Sequence, residues 1–418
     1  MTLTLSNLRA LEILDSRGRP TLQVEAALSS GVRAVAQVPS GASTGTHEAH
    51  EWRDGGARYG GKGVQGAVRH VAEIFAPALQ GFPVEDQRAL DGRLVAIDGT
   101  PDKSGTGANA VLGISCAVAR AVAVARGEPL YRTLALGAPQ LPVPMINIFS
   151  GGLHAGGNVE FQDFLIIPHG FATMAGALEA AVRIHTTAGE LVRRAGYVLT
   201  GVADEGGWGP WLPGNEEALS LLTAAIGEAG YAPGGQVSIA LDVAATHFYR
   251  EGRYHLTSEG RSLTSGEMVE LLAGWCERFP VVSIEDGLAE DDWEGWLELT
   301  GRLGRVQLVG DDLFTTNGAR LRRGMECGAA NAVLVKMNQI GTLTETLDVC
   351  RQARAGGYRA VISARSGETE DSFLADLATA TGAGQIKIGS VTRSERLAKY
   401  NRLLELEAWE GLPFKGKS

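Results

Sequence analysis

The sequence predicts an α/β fold: a (β/α) barrel preceded by a small N-terminal α+β domain, divided into residues 1–137 and 138–418. Three observations predict it. The first 40 residues hold short strand-like runs separated by turn chemistry. From Pro142 onward, short apolar runs alternate with amphipathic segments of helix length, the signature of βα units and a mostly parallel sheet. The later runs then end repeatedly in a charged residue. A chain of 418 residues has ample core material for this arrangement.

The cap comes first. Strand character spans Ala10–Leu14, Thr21–Leu28 and Val32–Val38, with Ser16-Arg-Gly-Arg-Pro20 and Ser29-Ser-Gly31 as turns, so an antiparallel meander is expected. Helical periodicity follows at Val64–Ala76, Val84–Ile97 and Asn109–Arg126, the last rich enough in Ala and Val to be buried on most of its surface. In the barrel, runs finish at Asp242, Glu285, Asp311, Lys336, Arg365 and Lys387. Their spacing fits one strand plus one helix per unit, and a longer first interval contains a hairpin-like insertion at His247–Leu256 around Glu251-Gly252. Barrel enzymes keep their chemistry at the strand C-terminal ends, so six charged residues are expected to converge there.

Composition narrows the function. With 38 Lys and Arg against 48 Asp and Glu, the chain has formal charge −10, which opposes a large nucleic-acid footprint. No apolar run reaches about 18 residues, since Arg120 interrupts the best stretch, and no secretory pattern opens the chain. Membrane partners are therefore not expected, and a cytoplasmic location is the default. Cysteines at 116, 276, 327 and 350 are too scattered for a disulfide framework or a metal knuckle. Gly56–Gly63 nearly spells a phosphate loop but has Gly63 where Ser or Thr is required, and Glu290-Asp-Asp292 lacks calcium-loop spacing and reads as a solvated helix start.

Asp242, Glu285 and Asp311 form a hard-oxygen set suited to Mg²⁺, because three converging carboxylates resist being ionised together without a cation. Lys336 and Lys387 reach the same mouth, where nearby cations are expected to lower a lysine pKa toward that of a base. Glu205, in Asp204-Glu-Gly-Gly207, offers an acid opposite that base. Arg365 and Ser366 offer a guanidinium fork and a hydroxyl to a phosphate or carboxylate.

These residues, in this order, resemble the enolase family over essentially the whole chain. The resemblance rests on Leu14-Asp-Ser-Arg-Gly18, Pro39-Ser-Gly-Ala-Ser-Thr-Gly45, His47-Glu-Ala49, Arg53-Asp-Gly55, Gly151-Gly-Leu-His-Ala-Gly-Gly157, Asp204-Glu-Gly-Gly207, Ser283-Ile-Glu-Asp-Gly287, Gly310-Asp-Asp312, Lys336-Met-Asn-Gln-Ile-Gly341, Ser366-Gly-Glu-Thr-Glu-Asp371 and Gln385-Ile-Lys387. It implies an α/β fold of enolase type, a modified (β/α)8 barrel that opens β-β-α-α under an N-terminal α+β capping domain, with a homo-oligomer, a dimer favoured, and two Mg²⁺ ions. Asp242, Glu285 and Asp311 are implied as ligands of the first ion, and Ser43 of the second, which arrives with substrate. The resemblance further implies Lys336 as the base at C2 of a 2-phosphoglycerate-type acid and Glu205 as the proton donor to the C3 hydroxyl. Lys387 is implied at the substrate carboxylate, with His154, Arg365 and Ser366 around the phosphoryl end and leaving group.

Four departures from the family pattern bear on substrate. Ala364 replaces an imidazole, Asp163 a glutamate, Ile388 a threonine and Ser150 an asparagine, all expected in substrate-contacting loops. Gln23 and Glu405 stand where many enolases carry an intersubunit acid and arginine. The space at Ala364 suggests room for a larger phosphoryl substituent. The leading expectation is thus a dehydratase for a small anionic carboxyphosphonyl glycerate, like carboxyphosphonoenolpyruvate synthases of phosphinothricin-type pathways. A housekeeping enolase acting on 2-phosphoglycerate is the alternative, and an inactive binding protein the third.

Overall fold

A computed structural model describes residues 2–41 and 45–416. The cap is a three-stranded antiparallel sheet of β1 (Leu5–Leu14), β2 (Pro20–Leu28) and β3 (Arg33–Gln37). β1 begins five residues before the expected run, because Leu5 and Leu8 are buried against the cap core while the residues beside them face water. The pattern at Val64–Ala76 is not one regular helix. It divides into Gln65–Arg69, a wider π-type turn at His70–Phe75, and Ala76–Leu79, with Pro77 near the start of the last piece.

The helix Ala108–Arg126 packs on β2 and β3. Gly113 permits that approach, since a Cβ there would come within 2.5 Å of the Val24 side chain. One expectation is corrected here: despite Arg120, this helix is long and apolar enough by length and composition to cross a membrane. In this structure, 83% of its apolar window is buried inside the protein. Arg120 turns to Asp371 and the Val35 carbonyl, so its charge is paired within the fold.

The barrel consists of β4 (Val143–Ser150), β5 (Asp163–Ile167), β6 (Ser238–Asp242), then β10 (Val281–Glu285), β11 (Gln307–Gly310), β12 (Ala332–Val335), β13 (Arg359–Ser363) and β14 (Gly384–Gly389). Between β6 and β10 lies the expected insertion, a small sheet of β7 (Tyr249–Arg250), β8 (Arg253–Leu256) and β9 (Arg261–Leu263) turning at Glu251-Gly252. The barrel is closed, and only β5 runs antiparallel to its neighbours β4 and β6. Two strands followed by two helices, Met174–Arg194 and Asn215–Glu228, therefore open the barrel in place of a plain βα repeat.

Val143, Met145, Leu165, Ile167, Ala240, Val309, Ala332, Leu334 and Val361 fill the barrel interior. Burying each large aliphatic chain of this kind stabilises the fold by about 1.5–3 kcal/mol, which makes the barrel a rigid platform for its rim. The cap is stitched to that rim. Ser40 and Gly367 exchange backbone hydrogen bonds of 2.8 and 2.9 Å, and Ser16 N–H donates to the Glu368 carbonyl at 2.8 Å.

Candidate active site

Strand register builds the site. Asp163 on β5 is paired with Asp242 on β6, and Asp242 with Glu285 on β10, so three acids form one row across neighbouring strands. Asp311 directly follows β11 and Lys336 directly follows β12. Lys387 pairs in register with Ser363 and lies inside β14, two residues before its end, not where the strand stops as expected. Asp163 on β5, Ile388 on β14 and Ser150 ending β4 likewise belong to strands rather than loops. Ala364 does follow a strand; it is buried and donates its N–H to the Lys387 carbonyl at 2.9 Å. Ser43 falls outside the described residues.

Charges interlock at this mouth. Lys387 Nζ lies 2.6 Å from Asp242 Oδ2 and 2.7 Å from Glu285 Oε2, while the Lys336 ammonium contacts the Asp311 carboxylate. Burial opposes the charge on Lys336, but contact with Asp311 outweighs it and raises its pKa. The expectation of a lowered lysine is therefore corrected for the protein alone, because an acid rather than a cation is its nearest partner. Burial, followed by the neighbouring Asp242, pushes Glu285 well above the usual carboxylate range.

A second group faces this one. His154 Nδ1 lies 2.9 Å from Asp163 Oδ2 and its Nε2 is 3.8 Å from Glu205 Oε1. Burial disfavours the imidazolium, yet Asp163 and Glu205 together raise His154 to about 9. Asp163 is itself held by Asn147 and by Ser150 Oγ at 3.0 Å. Burial would raise Glu205, but His154, Arg396, Lys387 and Lys336 act on it in concert and keep it below its ordinary value. Arg365 Nη1 and Nη2 fork onto the Glu48 carboxylate at 2.9 and 3.2 Å, and Nη1 also donates to Asn338 at 3.0 Å. Ser366 Oγ accepts from Arg17 Nη1 at 3.2 Å.

Several participants escaped the sequence reading of roles. Gln162 donates to Asp242 at 3.1 Å and Gln339 to Asp311 at 2.9 Å. Asp286, in a left-handed conformation at φ 43°, accepts the backbone N–H groups of Asp311 and Asp312. Asp286 and Gln339 sit inside motifs quoted for the resemblance, so proximity to a candidate ligand was their available signal. Glu48, inside His47-Glu-Ala49 of the same resemblance, had only that motif to mark it, and Asn147 had no signal, since their partners are distant in sequence.

The donor set fits a hard cation such as Mg²⁺. Asp242, Glu285 and Asp311 supply only oxygen atoms, and Glu285 Oε1 is buried with no hydrogen-bond partner among the described residues. Those three carboxylates are spanned by lysine ammonium groups. Two sets of possible ligand atoms among the described residues lie within 4.8 Å of one another, His154, Asp163 and Glu205, and Asp286, Asp311 and Asp312; Asp242, Glu285 and Asp311, held apart by the lysines, do not form such a set.

Fold and site together define a capped α/β barrel with interlocked buried carboxylates and cationic side chains at one mouth. Comparison with known proteins adds the family: a model described as "Enolase, N-terminal domain" matches residues 5–134, and one described as "Enolase, C-terminal TIM barrel domain" matches residues 138–417. An enolase of Acidothermus cellulolyticus is 54% identical over 402 residues, covering 95% of this chain and 92% of that protein. The chain belongs to the enolase family and is a hydro-lyase of the enolase type.

Proposed function

We propose that the chain interconverts 2-phosphoglycerate and phosphoenolpyruvate, the alternative set out above. Similarity spread over 95% of the chain to a protein named enolase favours this over the specialised reading. The observation that carries it is the pairing of Lys336 with Asp311 within electrostatic reach of the His154–Glu205 pair, so base and acid act on one shared space.

Lys336 rests as an ammonium against Asp311 and must first release that proton to solvent, which a cation held by Asp311 would favour; it then takes the C2 proton, and Glu205 delivers a proton to the departing C3 hydroxyl. Glu205 is ionised at rest, so it must gain that proton during the cycle; negative charge developing beside it favours the gain. Lys387 orients the substrate carboxylate, while His154, Arg365 and Ser366 hold the phosphoryl end and leaving group. Asp242, Glu285 and Asp311 would hold Mg²⁺, with Ser43 at a second ion; when bound, Mg²⁺ supplies positive charge to the carboxylate as the enolate forms. We also read the chain as a homodimer. Gln23 bonds Gln37 and Glu405 pairs with Arg402 within one chain, so association would lean on apolar surface such as Leu11 and Trp409, 57% and 76% exposed. Sedimentation should give a dimer, and a monomer at micromolar concentration would overturn this.

One observation favours the carboxyphosphonyl glycerate as a second reading: Ala364 presents only a methyl group beside Lys387 and Arg365, and the short Asp163 is retained by Ser150 and Asn147. Turnover of both substrates decides. The leading proposal expects kcat/KM for 2-phosphoglycerate to exceed that for the analogue, and Ala364→His with Asp163→Glu to alter the preference less than about tenfold. Poor 2-phosphoglycerate turnover, with the double variant shifting preference toward it by more than that, would overturn the proposal and support specialisation.

A further inference from the structure

The last helix, Ser394–Glu410, inserts two fully buried cations toward the barrel, Arg396 at 0% exposure and Lys399 at 1%. They do different things. Arg396 Nη1 donates to the Arg365 carbonyl at 2.7 Å and the Ile388 carbonyl at 2.9 Å, and its Nη2 donates to the Ser366 carbonyl. Lys399 serves the Thr369 and Glu395 carbonyls and the Glu368 carboxylate, whose other oxygen accepts the Arg365 N–H at 3.2 Å, so it touches the site only through Glu368.

Arg396 thus ties the backbone of both phosphoryl-end residues, Arg365 and Ser366, to the residue following Lys387. A lysine ammonium presents its donors from a single nitrogen and cannot reproduce the planar fork by which two separate nitrogens of Arg396 reach these carbonyls. Local backbone is built for the approach. Gly389 has φ 115°, and a Cβ there would lie 2.9 Å from both Arg396 Cδ and the Glu205 carbonyl oxygen. That same carbonyl accepts the Ser390 N–H at 2.8 Å, so the Glu205 turn is anchored to the next residue along. One side chain therefore sits where three site segments meet, without itself facing the mouth.

We propose that Arg396 is a positioning residue that fixes Arg365 and Ser366 relative to Lys387, and so sets the distance between the two anionic ends of a substrate the site accepts. The inference rests on the functional reading above for the identity of those ends. A purely structural arginine would stabilise the helix like Lys399 and influence turnover only through the fraction folded. Arg396→Lys and Lys399→Met separate the two, with thermal melting to verify folding and inorganic phosphate as the probe, measured by equilibrium dialysis beside steady-state turnover of 2-phosphoglycerate.

Arg396→Lys is expected to lower kcat about 100-fold and weaken phosphate binding about tenfold in fully folded protein, the scale for misplacing a positioned group by about 1 Å. Lys399→Met is expected to lower the melting temperature yet keep kcat and phosphate affinity within about twofold, because Lys399 reaches Arg365 only through Glu368, while Arg396 still holds the Arg365 and Ser366 carbonyls directly. Arg396→Lys protein that melts like the natural chain and keeps both quantities would overturn the proposal; so would a matching loss in folded Lys399→Met. If the natural chain fails to turn over 2-phosphoglycerate, the functional reading falls, while the phosphate comparison still decides the role of Arg396.

Discussion

Two buried glutamates at the same barrel mouth shift in opposite directions. Glu285 lies in the acid row of β5, β6 and β10, where burial and Asp242 push its pKa well up despite Lys387. Glu205 lies on the facing turn, where burial is overcome by His154, Arg396, Lys387 and Lys336. Both side chains are buried, so the neighbours decide. The mouth divides into an acid row that wants added positive charge and a cationic arc from β12 to β14 that already has it, with Lys387 reaching across the divide.

The strongest way to break this contrast is to remove what the acid row would hold. Chelation of Mg²⁺, or Asp311→Ala, is expected to cut turnover by more than about 1,000-fold while leaving the far-ultraviolet circular dichroism close to that of the natural chain. Full activity in EDTA would contradict the assignment of Asp242, Glu285 and Asp311 to a cation.

A smaller effect sharpens the contrast from outside the mouth. Asp371, on the rim segment, pairs with Arg120 of the cap helix and accepts the Gln37 N–H at 2.9 Å. Burial would raise its pKa, but Arg120 prevails and lowers it. A lowered folded pKa contributes stability above the unfolded value of about 4, which is lost as pH falls through the folded value. Asp371→Asn should therefore cost about 3 kcal/mol at neutral pH, the lower part of the range for breaking a buried pair, since Arg120 is partly exposed. The cost should shrink below about pH 4. Urea unfolding across pH measures it; equal penalties at pH 3 and pH 7 would contradict the linkage.

How legible was this in the sequence? Strand-terminal charges at Asp242, Glu285, Asp311 and Lys336 were readable because strand period and barrel geometry leave few places for them. Lys387 was misplaced by two residues, since Ile388 and Gly389 extend β14 without any change in apolar pattern. The antiparallel β5 was invisible to periodicity, which cannot tell strand direction; family resemblance alone implied that opening. Glu48 against Arg365, and Arg396 against three carbonyls, depend on segments brought together only by folding. The π-type turn at His70–Phe75 likewise left an apparently continuous helical pattern.

The central claim is that Lys336 and Glu205 share one reaction from opposite sides of the mouth. Incubation of 2-phosphoglycerate in deuterated water, followed by NMR, reads C2 proton exchange and dehydration separately. The natural chain should show both, Lys336→Ala should lose exchange, and Glu205→Gln should retain exchange while losing dehydration. Exchange persisting undiminished in Lys336→Ala would contradict the account and move the base to another residue.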